Sequence, residues 1–104
     1  MNIQINTDKN ISGNKKLTEY VTDLITDDLS SFANNITRIE VHLADENGSK
    51  PGQDDKRCML EARLENRQPI AVTSHGNTVE KALSKSLDKL KTSIESMLGR
   101  LNRQ

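Results

Sequence analysis

Ile3 and Ile5 alternate with polar residues in NIQINT, a period of two that predicts a short strand. The period then lengthens. In ISGNKKLTEYVTDLITDDLSSF, Leu17, Tyr20, Val21, Leu24, Ile25, Asp28, Leu29 and Phe32 recur three and four apart, and all but Asp28 are apolar. This predicts an amphipathic helix of about five turns, with both aromatic residues on its inward stripe and Glu19, Asp23 and Asp27 on its outer face. Alternation returns in ITRIEVHLADE, where Ile39, Val41 and Leu43 interleave with Arg38, Glu40 and His42, and in KRCMLEARLEN, where Cys58, Leu60, Ala62 and Leu64 form the apolar set. Between them, NGSKPGQDD is rich in Gly, Pro, Asn and Asp and predicts the tip of a long hairpin. NRQP predicts a tighter turn into a fourth strand, IAVTSH.

The last periodic segment begins after HGNT, with Asn77 or Thr78 suited to cap it and Gly99 suited to end it, leaving RLNRQ as a frayed tail. On a helical wheel with Lys81 at zero, Val79, Leu83, Leu87, Leu90, Ile94, Met97 and Leu101 fall between about 160° and 240°. Lys85, Lys89, Arg100 and Arg103 share an outer sector with Lys81, within about 100° of it, while Glu80, Asp88 and Glu95 lie between about 260° and 340°. The charges on this helix are sorted by sign. The element order βαβββα, with short turns between consecutive strands, implies an α+β two-layer sandwich: one four-stranded sheet with both helices on one face.

At 104 residues the chain is the length of one domain, and with one Phe, one Tyr and no Trp its core must be aliphatic. Fifteen basic residues balance fifteen acidic ones, so overall charge points to no partner, but the distribution is uneven. Residues 1–55 carry five basic and ten acidic side chains, and residues 56–104 carry ten and five. Such an asymmetry is a hint of a surface that meets a polyanion. A lysine-rich helix face is also what an ordinary solvated helix presents, so the two readings compete. With both aromatics assigned inward, base stacking is not expected, and cations on a rigid helix suit the phosphate lattice of folded RNA.

Cys58 is the only cysteine, which excludes an intrachain disulfide. The N-terminus has neither a basic leader nor an apolar run, and no segment has the length of a membrane span, so a cytoplasmic protein is expected. His42 and His75 lack cysteine or carboxylate neighbours at metal-ligand spacing, Cys58 falls on the inward set of its strand, and Asp45, Glu46, Asp54 and Asp55 do not follow the spacing of a calcium loop. Gly48 and Gly52 precede no helix and so form no phosphate loop. Arg38, Glu40 and His42 beside Glu61 and Arg63 suggest charge pairs across the open sheet face. No cofactor, small-molecule substrate or catalytic group is expected.

The βαβββα order, the stretches ITRIEVHLADENG, DDKRCMLEARLENRQPIAVT and LGRLNR, and the turn into VTSHGNTVEKALSKSLDKLKTSI resemble the short ribosome hibernation-promoting factors. That bacterial family includes ribosome-associated inhibitor A and was formerly described as sigma factor modulation proteins. The resemblance covers essentially the whole chain. It implies a fold like that of double-stranded-RNA-binding domains and a stress factor that sits on ribosomal RNA of the small subunit, in the channel for messenger and transfer RNA, and blocks translation. The RNA contacts it implies are Lys81, Lys85, Lys89 and Lys91 on the last helix, with Arg100 and Arg103 beyond, and Lys15 and Lys16 at the first helix. Lys56, Arg57, Arg63 and Arg67 on the hairpin are weaker candidates. The competing expectation is a non-enzymatic interaction module that uses the exposed sheet face or an edge strand, and a weak homodimer through a sheet edge stays open.

Overall fold

A computed structural model describes residues 1–47 and 55–102, with side chains through Gly99. Its elements are β1 (Asn2–Thr7), α1 (Lys15–Asp28), a 3-10 turn (Ser30–Phe32), β2 (Ile36–Asp45), β3 (Lys56–Leu64), β4 (Ile70–Gly76) and α2 (Val79–Asn102). The strands form one sheet in the order β1-β2-β3-β4. β1 runs parallel to β2 across the α1 crossover, and the other pairs are antiparallel. This is the expected α+β sandwich. The predicted hairpin tip and the tail residue Arg103 lie outside the described residues.

Each strand turns one face inward, and the residues there are the alternating set of the sequence: Ile39, Val41 and Leu43 on β2, and Cys58, Leu60, Ala62 and Leu64 on β3, all buried. α2 covers them with Leu83, Leu87, Leu90 and Ile94, each fully buried, and α1 adds Val21 and Ile25. Burying side chains of this size stabilises by about 1.5–3 kcal/mol each. Two small residues of α2, Ala82 and Ser86, are buried as completely. Ser86 Oγ donates a 2.8 Å hydrogen bond to the carbonyl of Cys58, so its hydroxyl is satisfied by the strand beneath it, whereas Ser74, opposite Cys58 on β4, is buried with no hydrogen-bond partner for its Oγ among the described residues. Gly76 permits the close approach at the start of the helix, because a Cβ there would stand 2.8 Å from the Ala82 nitrogen.

Local chemistry explains the boundaries. Asn14 caps α1 by accepting from the Leu17 N–H at 2.9 Å, and Thr78, one of the two expected caps, accepts from Lys81 N–H at 3.1 Å. Asn66 takes a left-handed conformation (φ 61°) in the β3–β4 turn, a region that Asn enters more readily than most residues. Three expectations need correction. α1 is shorter than predicted and yields to the 3-10 turn, where Phe32 is half-buried against the core. Tyr20 is 43% exposed, because its place at the edge of the apolar arc directs it out of the layer. Finally, α2 continues through Gly99 to Asn102, since a glycine that meets no left-handed turn costs a helix only about 1 kcal/mol.

Cys58 sits at the centre of this seam, and burial pushes its thiol up to about 11 from the usual 9.0. We expect a thiol reagent at about pH 8 to label the protein only after denaturant is added, since the thiolate is the reactive form. Above pH 9.0 the unfolded chain releases this proton first, so stability should fall as pH rises towards about 11. Labelling of the native protein at the unfolded rate would contradict the burial.

Candidate nucleic-acid interface

The apolar stripe of α2 fixes the rotation of the helix over β3 and β4, and that rotation decides where its lysines point. Lys81, Lys85 and Lys89 are all exposed. The last two extend over the outer edge of β4, where Lys85 Nζ donates to the His75 carbonyl at 3.2 Å and Lys89 Nζ donates to the Thr73 carbonyl at 2.8 Å. An edge strand otherwise presents unpaired carbonyls, and lysines are a common means of covering them. Each ammonium has three donors, so one bond to a carbonyl leaves two for another acceptor. Lys81, Lys85 and Lys89 make no ion pair with any described residue.

Between the β4 edge and α2 lies an open notch of about 430 Å³, lined by Thr73, Ser74, His75, Lys85, Asp88 and Lys89. Its wall includes one acid, Asp88, so the separation of charge by sign is less complete in space than on the wheel. His75 Nε2 lies 2.7 Å from Glu46 Oε1, which ties the end of β4 to the end of β2. Further along, a shallow groove of about 430 Å³ runs between the β3–β4 turn and α2, lined by Arg67, Thr92, Ser93 and Ser96 among others. Arg67 thus borders the neutral part of the helix face that also carries Lys85 and Lys89. Lys91 is half-buried.

The remaining candidates are dispersed. Lys15 pairs with Glu19 at 3.8 Å across one helical turn. Lys16 lines a separate cleft of about 440 Å³ with Tyr20, Val79 and Lys56, where the first turns of both helices meet. An exposed aromatic there runs against the spacing, which puts Tyr20 on the inward stripe. Lys56 is engaged: its ammonium lies 2.9 Å from Asp55 and 3.4 Å from Asp45, both buried carboxylates. The hydrogen bond from Lys56 holds the Asp55 carboxyl below the usual carboxylate range, and the same bond raises the Lys56 ammonium. Arg57 is exposed on β3. Arg63 belongs to the open sheet face, where it reaches Glu40 at 3.5 Å and Glu61 at 3.3 Å.

That face is organised in rows of like charge. The register sets Arg38 opposite Arg63 and Glu40 opposite Glu61, so like charges face each other directly and opposite charges meet on the diagonal. Arg38 lies 3.8 Å from Glu40 and also bonds the side chain of Gln4 on β1. His42 completes the row, 4.0 Å from Glu40. Of the cross-strand pairs expected from the sequence, Arg63–Glu40 is present, while Arg38–Glu40 and Arg63–Glu61 run along single strands; together they neutralise the face locally. Among the described residues no group of three His, Cys, Asp or Glu side chains is placed to hold a metal ion.

The sheet neutralises its own open face, and α2 lays Lys85 and Lys89, without carboxylate partners among the described residues, along a strand edge. The chain belongs to the family described as Sigma 54 modulation protein / S30EA ribosomal protein, whose model matches residues 3–102. Two solved structures share the fold. The N-terminal domain of Protein Y from Thermus thermophilus superposes with a TM-score of 0.72 at 16% identity, covering 93% of this chain and 99% of that one. A ribosomal subunit interface protein from Coxiella burnetii gives a TM-score of 0.73 at 15% identity, covering 95% and 99%. No curated protein sequence matches the chain. No helix is long and apolar enough, among the described residues, to cross a membrane.

The engaged state of Lys56 has a measurable consequence. Replacing it, Lys56→Gln, leaves Asp45 and Asp55 without their cation. The depressed Asp55 carboxyl contributes stability that is present above the usual carboxylate range and is lost as pH falls through its folded value. Urea melts should therefore show Lys56→Gln least stable relative to the parent at neutral pH, the gap closing below the ordinary Asp value of 3.8. A gap independent of pH would place the effect elsewhere.

Proposed function

We propose that the domain is a cytoplasmic, ribosome-associated stress factor that binds folded ribosomal RNA of the small subunit through the basic sector of α2 and inhibits translation. The observation that carries this reading is the row Lys81, Lys85 and Lys89, exposed along one side of α2 with no carboxylate partner among the described residues. Family membership supplies the ribosome as the partner. Phosphates spaced along an RNA backbone match cations held at helical spacing, and such contacts carry little sequence information. Arg67, and Lys16 across the first turns of the helices, extend the surface; Arg57 is a further exposed cation. Lys56 and Arg63 contribute less, because carboxylates already occupy them. The alternative, a protein partner on the open sheet face, draws no support from a face whose charges are already paired among themselves.

Sedimentation with small ribosomal subunits tests the proposal. With three lysine–phosphate contacts, association should weaken roughly 100-fold between about 50 and 300 mM salt. The triple replacement Lys81→Glu, Lys85→Glu and Lys89→Glu should abolish cosedimentation while circular dichroism stays unchanged, because all three side chains lie outside the core. Unchanged cosedimentation of the triple variant would overturn the assignment to this helix.

A further inference from the structure

The two edges of the sheet are treated differently. At the β4 edge, two outward carbonyls are covered by Lys85 and Lys89. The β1 edge has no such cover. Its six residues, NIQINT, include no charge and no proline, the two devices that most often keep an edge strand from pairing with another chain. Parity shows which groups are presented. Asp8 N–H bonds the Leu43 carbonyl at 3.0 Å, continuing the parallel ladder with β2. Backbone direction alternates along a strand, so Gln4 and Asn6 also face β2, while the N–H and C=O groups of Ile3, Ile5 and Thr7 point away from the sheet. The side chains of Ile3 and Ile5 pack against the core yet are only partly buried, as expected where the sheet stops one strand short.

We infer that this edge pairs with the β1 edge of a second copy of the chain, antiparallel about a two-fold axis. Two requirements limit the register, and the pairing of both isoleucines with isoleucines selects among the registers that meet them. Outward-pointing residues must pair with outward-pointing residues, and the apolar faces of both sheets must lie on the same side. Setting Gln4 opposite Gln4 of the second copy meets both. It places Ile3 opposite Ile5 and Ile5 opposite Ile3, so each half-buried isoleucine gains an isoleucine neighbour, the kind of cross-strand contact that stabilises a sheet. No like charges are brought together along β1. On α1, Lys16, Leu17 and Tyr20 face the cleft shared with α2, and the helical spacing puts Thr18, Thr22 and Thr26 on the other side with Lys15, whose charge is paired with Glu19. The product is a continuous eight-stranded sheet, twice the four strands of one chain. Because α2 lies over β3 and β4, both basic helices stand far from the axis and remain open, so the pairing is independent of RNA binding.

Gln4 gives a direct test, since its side chain is exposed on the open face and away from the core. Analytical ultracentrifugation of the parent protein between about 10 µM and 1 mM should show the mass rising from 11.6 kDa towards double that value. Gln4→Lys sets two ammoniums opposite each other on the axis, each beside Arg38, and should weaken self-association at least tenfold, whereas Gln4→Glu should weaken it less, because Arg38 offsets each carboxylate. An equimolar mixture of the two variants should dimerise again. To cover a variant that folds poorly, amide exchange of the parent provides a second reading: Ile3, Ile5 and Thr7 should exchange more slowly at high protein concentration than at low. A mass that stays at 11.6 kDa throughout, or a dimer indifferent to Gln4→Lys with no change in those three amides, would overturn the inference.

Discussion

Everything that this molecule presents to solvent follows from the way α2 is seated on β3 and β4. Leu83, Leu87, Leu90 and Ile94 bury completely, Ser86 bonds the Cys58 carbonyl, and Gly76 lets the first turn lie against the strand end. These contacts remove the rotational freedom of the helix about its own axis. With 3.6 residues per turn, a lysine placed two or three positions from a buried leucine has one direction available, and for Lys85 and Lys89 that direction is the β4 edge. The placement of these lysines is thus a by-product of core packing: a change that loosens the seam would scatter the cations even if no lysine were touched.

Charge is arranged by the same economy. On the open sheet face, the register places like charges directly opposite one another, and the diagonal pair Arg63–Glu40, with Arg38–Glu40 along β2, offsets the repulsion. At the hairpin base, two buried carboxylates hold Lys56. The acidic residues of a neutral chain are therefore not spread evenly; several are consumed locally by their own cations. The lysines along α2 keep their charge because their contacts on the protein are to carbonyls and not to carboxylates.

Much of this was legible in the amino-acid sequence. Periods of two and of three to four gave all four strands and both helices, and the inward sets of β2 and β3 are the sets that the structure buries. The errors lie where a one-dimensional pattern meets a three-dimensional boundary. Tyr20 has the spacing of the apolar stripe, but it stands at the margin of the arc, and nothing in the spacing says how wide a neighbouring layer extends. Ser86 was not predicted as buried, because its hydrogen bond goes to a carbonyl 28 positions away in the chain. The engagement of Lys56 and the carbonyl contacts of Lys85 and Lys89 likewise depend on which strand lies at which edge. Strand order is a property of the assembled sheet, and a residue's own neighbours in sequence carry no trace of it.

The same fact dissolves the opposition between an ordinary solvated lysine face and a polyanion-binding one. A lysine that caps an edge carbonyl blocks a second strand from pairing there, which is a structural duty in the unbound protein. It remains exposed, it retains two donors, and its charge is uncompensated by any described carboxylate. An arriving phosphate therefore does not have to break an ion pair, and the cost of re-aiming the side chain is that of one exposed hydrogen bond, about 0.5–1.5 kcal/mol at most. Lys56, tied to two buried acids, would lose far more on the same exchange, which separates it from Lys85 and Lys89. Neutral overall charge is then no obstacle: at physiological salt, screening over about 8 Å makes the local field at the β4 edge, and not the sum over the chain, the quantity that an RNA backbone would meet.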